Sequence, residues 1–192
     1  MGITGVILAG GLGRRMGGLD KGWVPFLGKP LITHVIARLQ PQVDEVLINA
    51  NRETERYAAL GYTVIADDIA GFAGPLAGLH IGMSAAKQDF VVTTPCDSPL
   101  LPLDLVERLM AGLIKQHADL AVAKTGNQAH PVFCLCRKTL LPHLTAYLQS
   151  GGRKIDAWYS TLNVAEILFD DNAEAFSNVN TPEELRELEN LF

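Results

Sequence analysis

The fold is decided by the stretch GVILAGGLGRRMGGLDKG, residues 5–22, where an apolar run passes directly into a glycine-rich segment. The apolar run predicts a buried first strand over residues 5–9. Glycine lets a ligand approach the backbone closely, so a glycine-rich loop after such a strand can offer its N–H groups to a phosphate. The cations Arg14, Arg15 and Lys21 lie in the same loop. The stretch therefore predicts a triphosphate site, with a solvated basic turn as the alternative.

Two established phosphate loops can be compared with this segment by their spacing. The dinucleotide fingerprint G-x-G-x-x-G fails, because Met16 stands where the third glycine would follow Gly11 and Gly13. The P-loop comes nearer through Gly13 and Gly18, but Leu19 stands where its lysine is required. The loop is therefore neither of these two types.

The rest of the chain alternates short β-like runs with segments of helical period. This alternation is typical of an α/β sheet built from crossover units, and we treat residues 1–192 as one domain. Helices are predicted around residues 31–39 and 103–113, and Thr181-Pro182-Glu183-Glu184 predicts a capped final helix. The strands are predicted at residues 5–9, 43–50, 62–66, 90–94, 120–123 and 132–136.

Composition and charge argue against several classes of protein. No apolar stretch approaches the ~20 residues that span a bilayer, and no export signal is visible, so we expect a cytoplasmic location and no membrane partner. Residues 1–30 contain four cations and one acidic residue, whereas the whole chain carries a net charge of −5. A small anion site is therefore expected rather than a nucleic-acid surface. Cys96, Cys134 and Cys136 lack zinc-type spacing and are predicted to be reduced core thiols.

Several motifs together resemble a known family. Leu8-Ala9-Gly10-Gly11, Arg15-Met16-Gly17 and Lys21 resemble the signature of nucleotidyltransferases that activate a phosphorylated acceptor with an NTP. Further motifs follow in order along the chain: G-G-x-D-K-G, N-A-N-R, G-P-L-A-G, P-C-D-x-P, H-P and N-V-N-T-P-E-E. With this set the chain is similar to the molybdenum cofactor guanylyltransferases of the MobA type.

The resemblance implies a fold and a reaction. The fold is an α/β, three-layer, Rossmann-like nucleotidyltransferase domain with a mostly parallel central sheet. The reaction is transfer of GMP from GTP to the phosphate of Mo-molybdopterin, giving molybdopterin guanine dinucleotide and pyrophosphate. It implies Mg²⁺ as cofactor and, as partners beyond these substrates, molybdoenzyme maturation proteins. Three alternative functions stay open. Two are those of a molybdopterin cytidylyltransferase and a sugar-phosphate nucleotidyltransferase, and the third, from another class, is that of a non-catalytic nucleotide-binding regulatory module.

The resemblance assigns catalysis to Arg15, Lys21 and Asp97. Arginine and lysine neutralise phosphate oxygens and stabilise the charge that develops on a pyrophosphate leaving group. Asp97 follows a predicted strand, where open α/β sheets place their ligands, and the resemblance makes it the Mg²⁺ ligand. Taken alone, an aspartate at such a position is more often a local turn residue.

A larger set of residues is expected to bind the nucleotide. Asp67 is the candidate reader of the base, because one carboxylate can accept both N1–H and the exocyclic amine of guanine. Asp68 beside it could do the same or could shape a turn. The complete set is Leu8, Ala9, Gly10, Gly11, Lys21, Asn49, Asp67, Gly74, Pro75, Leu76 and Asp97.

Arg153, Asn178 and Asn180 are expected on the acceptor side of the site, Arg153 near the acceptor's phosphate and the two asparagines near the metal or the acceptor. This placement comes from the resemblance alone. The two asparagines precede the predicted Thr181 cap, so they could instead shape the entrance of the last helix. Arg153 could equally face solvent.

Overall fold

The structure, a computed structural model, describes residues 1–10, 20–68 and 74–190. The predicted strands all form, with ends that differ from the expected ones by a few residues. In chain order the strands are β1 Ile3–Leu8, β2 Pro25–Phe26, β3 Lys29–Pro30, β4 Glu45–Asn49, β5 Thr63–Ile65, β6 Phe90–Pro95, β7 Leu120–Thr125, β8 Gln128–Arg137 and β9 Val164–Leu168.

Seven of these strands form one mostly parallel sheet in the order β5-β4-β1-β6-β8-β7-β9, whereas β2 and β3 form a small separate ribbon. Only β8 runs antiparallel to its neighbours in this sheet, pairing with β6 and β7. It does so because a tight turn at Gly126, with φ +51°, returns the chain directly from β7. The α/β class and the mostly parallel sheet are confirmed.

Helices cover both faces of the sheet, as the expected three layers require. Their bounds are α1 Leu31–Leu39, α2 Thr54–Ala58, α3 Pro75–Ala85, α4 Leu105–Lys115, α5 Leu141–Gln149, α6 Ile155–Tyr159 and α7 Pro182–Glu189. The capping box at Thr181 is also confirmed, because the Thr181 hydroxyl accepts from the Glu184 N–H and the Glu184 carboxylate accepts from the Thr181 N–H.

The two cores follow from the alternation of side chains along the strands. In β1, Ile7 packs with the helices α1 and α4, whereas the preceding Val6 packs with α3, α5 and α6 on the other face. Val91 and Val92 of β6 divide between the two faces in the same way. Continuous apolar runs in these strands are therefore explained by burial on both sides.

The cysteines behave as expected, since Cys96, Cys134 and Cys136 are buried and none forms a disulfide. Within the ranges that the structure covers, no helix combines the length and the apolar character needed to cross a membrane.

The sheet brings the carboxyl ends of β1, β4, β5 and β6 to one edge. Leu8, the last residue of β1, is in register with both Asn49 of β4 and Pro95 of β6, and Asn49 is in register with Ile65 of β5. From β1 the chain continues through β4 and β5, which lie on one side of β1 in the sheet. It then crosses to β6, which lies on the other side of β1. The crevice between β1 and β6 is therefore the point of strand-order reversal, where sheets of this kind bind ligands.

Candidate active site

Three of the predicted site residues meet at this crevice. The Lys21 Nζ atom lies 2.9 Å from Asp97 Oδ2 and donates a second hydrogen bond, of 2.5 Å, to Asn180 Oδ1. The three residues come from the segment before α1, from the end of β6 and from the approach to α7. One cation is thus held between a carboxylate and a carbonyl oxygen.

Backbone hydrogen bonds hold Asp97 in place. The Cys96 N–H donates to the Leu8 carbonyl at 3.1 Å, which extends the pairing of β6 with β1 past the last strand residue. The Asp97 carbonyl in turn accepts from the Val179 N–H at 3.0 Å. The segment before α7 therefore lies directly beside the carboxyl end of β6.

Side chains join the same two segments. The Ser98 hydroxyl donates to Asn178 Oδ1 at 2.8 Å, and Asn180 Nδ2 donates to the Asn178 carbonyl at 3.2 Å. Asn178 thus supports the Asp97 turn, whereas Asn180 reaches Lys21. Both asparagines, expected near the metal or the acceptor, lie in the Lys21–Asp97 cluster, and they also precede the Thr181 cap.

The Asp97 side chain is suited to act as a metal ligand. This side chain is 9% exposed, and its Oδ1 atom is buried without a hydrogen-bond partner among the residues described. A buried carboxylate oxygen without a partner is costly, so a cation on this atom would be stabilising. The described residues contain no group of three or more His, Cys, Asp or Glu side chains that could hold a metal. A single carboxylate nevertheless suits Mg²⁺, which keeps several waters and binds substrate phosphates.

Lys21 begins a short 3-10 helix, Lys21–Trp23, that Asp20 caps. The Asp20 Oδ1 atom accepts from the Gly22 N–H at 3.1 Å and from the Tyr57 hydroxyl at 2.5 Å. Tyr57 belongs to α2 and is fully buried. Burial raises the pKa of Asp20, although the hydrogen bonds from Tyr57 and Gly22 oppose this. Sequence reasoning missed this pair, because no spacing rule links residues that are 37 positions apart.

A second cluster lies beyond β4 and β5. Asn49 Nδ2 donates to Asp67 Oδ1 at 2.9 Å, and Asn51 Nδ2 donates to Asp67 Oδ2 at 2.8 Å. Asp68 takes no part in this network: it is 54% exposed on its side chain and lies 3.6 Å from Nδ1 of His80 in α3. The structure thus distinguishes the two adjacent aspartates that the sequence left open.

Helix α3 approaches Asn49 very closely. Its N-cap, Gly74, has φ +131°, and Pro75 is the first helical residue. A Cβ atom on Gly78 would lie 2.5 Å from Asn49 Oδ1 and 2.6 Å from Leu8 Cδ2. Close packing of α3 against β1 and β4 therefore requires glycine at position 78, the last residue of G-P-L-A-G.

The remaining nucleotide-binding predictions fall on backbone or core positions. Leu76 and Ala9 are 2% and 4% exposed, so their side chains belong to the core, and the Ala9 N–H donates to the Asn49 carbonyl at 2.8 Å. Gly10 lies beside the second cluster, since a Cβ atom on it would be 3.2 Å from Asn51 Nδ2. Leu8 is the last residue of β1 and lies at the crevice between β1 and β6. The predictions for Gly11 and Arg15 lie outside the described residues.

Arg153 lies between α5 and α6. Its Nη1 atom donates to the carbonyls of Gly152 at 2.7 Å and Leu148 at 3.2 Å. These contacts fix the guanidinium against the end of α5. None of them joins Arg153 to the Lys21–Asp97 cluster.

Residues 5–163 match the MobA-like NTP transferase domain. The chain belongs to this family. Similarity to named proteins extends over almost the whole length. The molybdenum cofactor guanylyltransferase of Polynucleobacter asymbioticus is 51% identical over 97% of this chain and 96% of its own. The protein of the same name from Shewanella sediminis is 50% identical over 97% of this chain and 95% of its own.

A solved structure agrees with the fold of this MobA-like transferase. Molybdopterin-guanine dinucleotide biosynthesis protein A from Archaeoglobus fulgidus aligns with a TM-score of 0.81 over 98% of this chain and 97% of its own, at 24% identity. The chain is therefore an enzyme, a nucleotidyltransferase, and its family indicates dependence on a divalent metal.

Asp20→Asn is expected to remove part of the pH dependence of folding stability. Burial raises the folded-state pKa of Asp20 above its ordinary value of 3.8, so the folded protein binds this proton more tightly than the unfolded chain does. The free energy of unfolding of the wild type therefore falls as the pH rises from 3.8 through the raised pKa. Asparagine keeps the acceptor oxygen but carries no charge, so this decrease disappears.

Urea unfolding of both proteins across acidic to neutral pH measures the effect. The control is Asp89→Asn, an exposed carboxyl just before β6, which is expected to follow the wild-type curve. Equal pH slopes for Asp20→Asn and wild type would contradict the role given to burial.

Proposed function

We propose that the protein transfers GMP from GTP to the phosphate of Mo-molybdopterin, releasing pyrophosphate and giving molybdopterin guanine dinucleotide. The observation that carries this proposal is the cluster of Lys21, Asp97 and Asn180 at the crevice between β1 and β6. The family and the named relatives at about half identity support the same reaction.

The proposed chemistry is an in-line displacement at the α-phosphorus of GTP. An oxygen of the acceptor phosphate forms the new P–O bond, the bond to the β-phosphate oxygen breaks, and pyrophosphate leaves with its electron pair. A phosphate monoester is already largely ionised near neutral pH, so no strong general base is needed. Catalysis then depends on positioning the two phosphates and on stabilising the negative charge of the leaving group.

Lys21 is proposed to bind the triphosphate. Its ammonium group already bridges two oxygen acceptors at the crevice, so phosphate oxygens arriving there would meet a positioned cation. Arg15 is proposed to act beside it. The amides of Gly10 and Gly11 would add backbone donors, whereas Leu8 and Ala9 would border the phosphates, since the Ala9 N–H is bonded to the Asn49 carbonyl.

Asp97 is the residue proposed to hold Mg²⁺, since its buried Oδ1 fits a cation. A bound ion would neutralise part of the phosphate charge. Asn178 keeps the Asp97 turn in position through Ser98, and Asn180 holds Lys21 beside it. Both lie where the acceptor phosphate is proposed to enter, and Arg153 is proposed to lie farther along the acceptor side.

The base is proposed to bind at the second cluster. Asp67 would accept the N1–H and the 2-amine of guanine, while Asn49 supports its carboxylate. Gly74, Pro75 and Leu76, at the start of α3, would border the nucleoside through their backbone. Residues 1–192 are proposed to act as one domain, and a cytoplasmic location and delivery to maturation proteins remain predictions.

GTP is expected to be the preferred nucleotide in a turnover assay with Mo-molybdopterin. Measuring pyrophosphate release with GTP and with CTP decides between a guanylyltransferase and a cytidylyltransferase. Preference for CTP would contradict the guanine assignment. Nucleotide binding without pyrophosphate release in the presence of Mo-molybdopterin would instead indicate a non-catalytic binding module.

Asp97→Ala is expected to abolish Mg²⁺-dependent turnover while leaving the protein folded. The substitution removes the carboxylate proposed to hold the ion, and losses of roughly a hundredfold or more are typical when such stabilisation of transition-state charge is removed. The matched control is Asp89→Ala, which changes an exposed carboxyl at the opposite end of the same strand. Activity of Asp97→Ala close to that of Asp89→Ala would overturn the metal role.

Lys21→Ala is expected to weaken GTP binding by roughly tenfold or more, because a charge-assisted contact to phosphate is lost. Calorimetric titration with GTP and Mg²⁺ measures the dissociation constant. Lys29→Ala removes an exposed cation from β3 and serves as the control. An unchanged dissociation constant for Lys21→Ala would show that the triphosphate binds elsewhere.

A further inference from the structure

Asn51 makes an unusually complete contact with Asp67. Its Nδ2 atom donates to Asp67 Oδ2 at 2.8 Å, and its Oδ1 atom accepts from the Asp67 backbone N–H at 2.8 Å. Both polar groups of one exposed side chain are thus directed at a single residue. Asn51 lies two positions beyond the end of β4 and takes no part in the proposed phosphate chemistry.

Asn49 completes the arrangement from the other side. It donates to Asp67 Oδ1 at 2.9 Å, so each carboxylate oxygen of Asp67 accepts one amide hydrogen. Two donors on two different oxygens fix the plane of a carboxylate, whereas one donor leaves it free to rotate about the Cβ–Cγ bond. The orientation of Asp67 therefore depends on Asn51 as well as on Asn49.

The arrangement leaves Asp67 suited to a ligand with two neighbouring N–H donors. Each carboxylate oxygen has about two acceptor sites, and the amides use one site on each. Both donors are neutral, so these hydrogen bonds leave the negative charge in place. A planar group that presents two adjacent N–H donors, as guanine does along its N1 and N2 edge, would pair with both oxygens at once.

We infer that Asn51 is a positioning residue that sets the base selectivity of the enzyme by fixing the Asp67 carboxylate plane. The inference rests on the proposed function, in which Asp67 reads the guanine base. Without Asn51, the carboxylate turns about its remaining contact to Asn49, and two-point pairing with the base is lost. Asn51 therefore governs discrimination between purines rather than affinity for the triphosphate.

The test compares the dissociation constants of GTP and ITP, since the hypoxanthine base of ITP lacks only the 2-amino group. For the wild type, a hydrogen bond to a charged acceptor corresponds to a preference for GTP of roughly tenfold to a hundredfold. Asn51→Ala is expected to bring this ratio close to one, by weakening GTP binding while leaving ITP binding nearly unchanged. Asn51→Asp keeps the size of the side chain but places a second carboxylate beside Asp67, and is expected to weaken GTP binding further.

Two further variants make the outcome decisive. Glu55→Ala changes an exposed side chain on α2 and is expected to keep the wild-type ratio. Asp67→Asn removes the proposed base reader and is expected to abolish the preference for GTP.

Each possible result leads to one conclusion. If Asp67→Asn abolishes the preference and Asn51→Ala keeps it, the inference is overturned and the proposed function stands. An equal loss of GTP and ITP binding in Asn51→Ala reveals a merely structural role and overturns it as well. If Asp67→Asn keeps the wild-type ratio, base reading by Asp67 is wrong and both proposals on the second cluster fail.

Discussion

Parallel pairing of β1 with both β4 and β6 is the constraint on which the site depends. It sets Leu8 level with Asn49 on one side and with Pro95 on the other. The Leu8 carbonyl extends this register by accepting from the Cys96 N–H, which brings Asp97 to the edge of the crevice. Both clusters lie at the same edge because the carboxyl ends of parallel strands point the same way. The Lys21–Asp97 cluster, proposed to bind phosphate and metal, and the Asn49–Asp67 cluster, proposed to bind the base, therefore share one edge of the sheet.

Much of this arrangement could be predicted from the sequence because its signals are local. Apolar runs mark the central strands, and Thr181 through Glu184 carry a complete capping box that the structure reproduces. Lys21 could be singled out by its charge in the glycine-rich segment, whereas Asp97 needed the family resemblance, because its position after a strand alone favours a turn residue. The structure brings Lys21 Nζ and Asp97 Oδ2 within 2.9 Å of each other. The family resemblance supplied what spacing could not, namely the acceptor and the nucleotide.

The rest could not be predicted because it depends on contacts between distant parts of the chain. Strand β9 was missed, since its half-exposed residues become a strand only by pairing with β7. The Asp20–Tyr57 pair and the Asn51–Asp67 pair join residues far apart in sequence, and each looks alone like an ordinary polar position. Asn180 could be placed only loosely, because its bond to Lys21 spans 159 positions.

The positions of Lys21, Asp97 and Asn180 along the chain determine the order in which they are synthesised. Lys21 is synthesised first, Asp97 follows 76 positions later, and Asn180 follows 159 positions after Lys21. During translation the first two can meet as soon as β1 and β6 have paired, but the oxygen that holds the ammonium group from the other side arrives last. The cluster is therefore complete only after Asn180 has been synthesised, and a nascent or terminated chain that stops before this residue lacks it even where its sheet has formed.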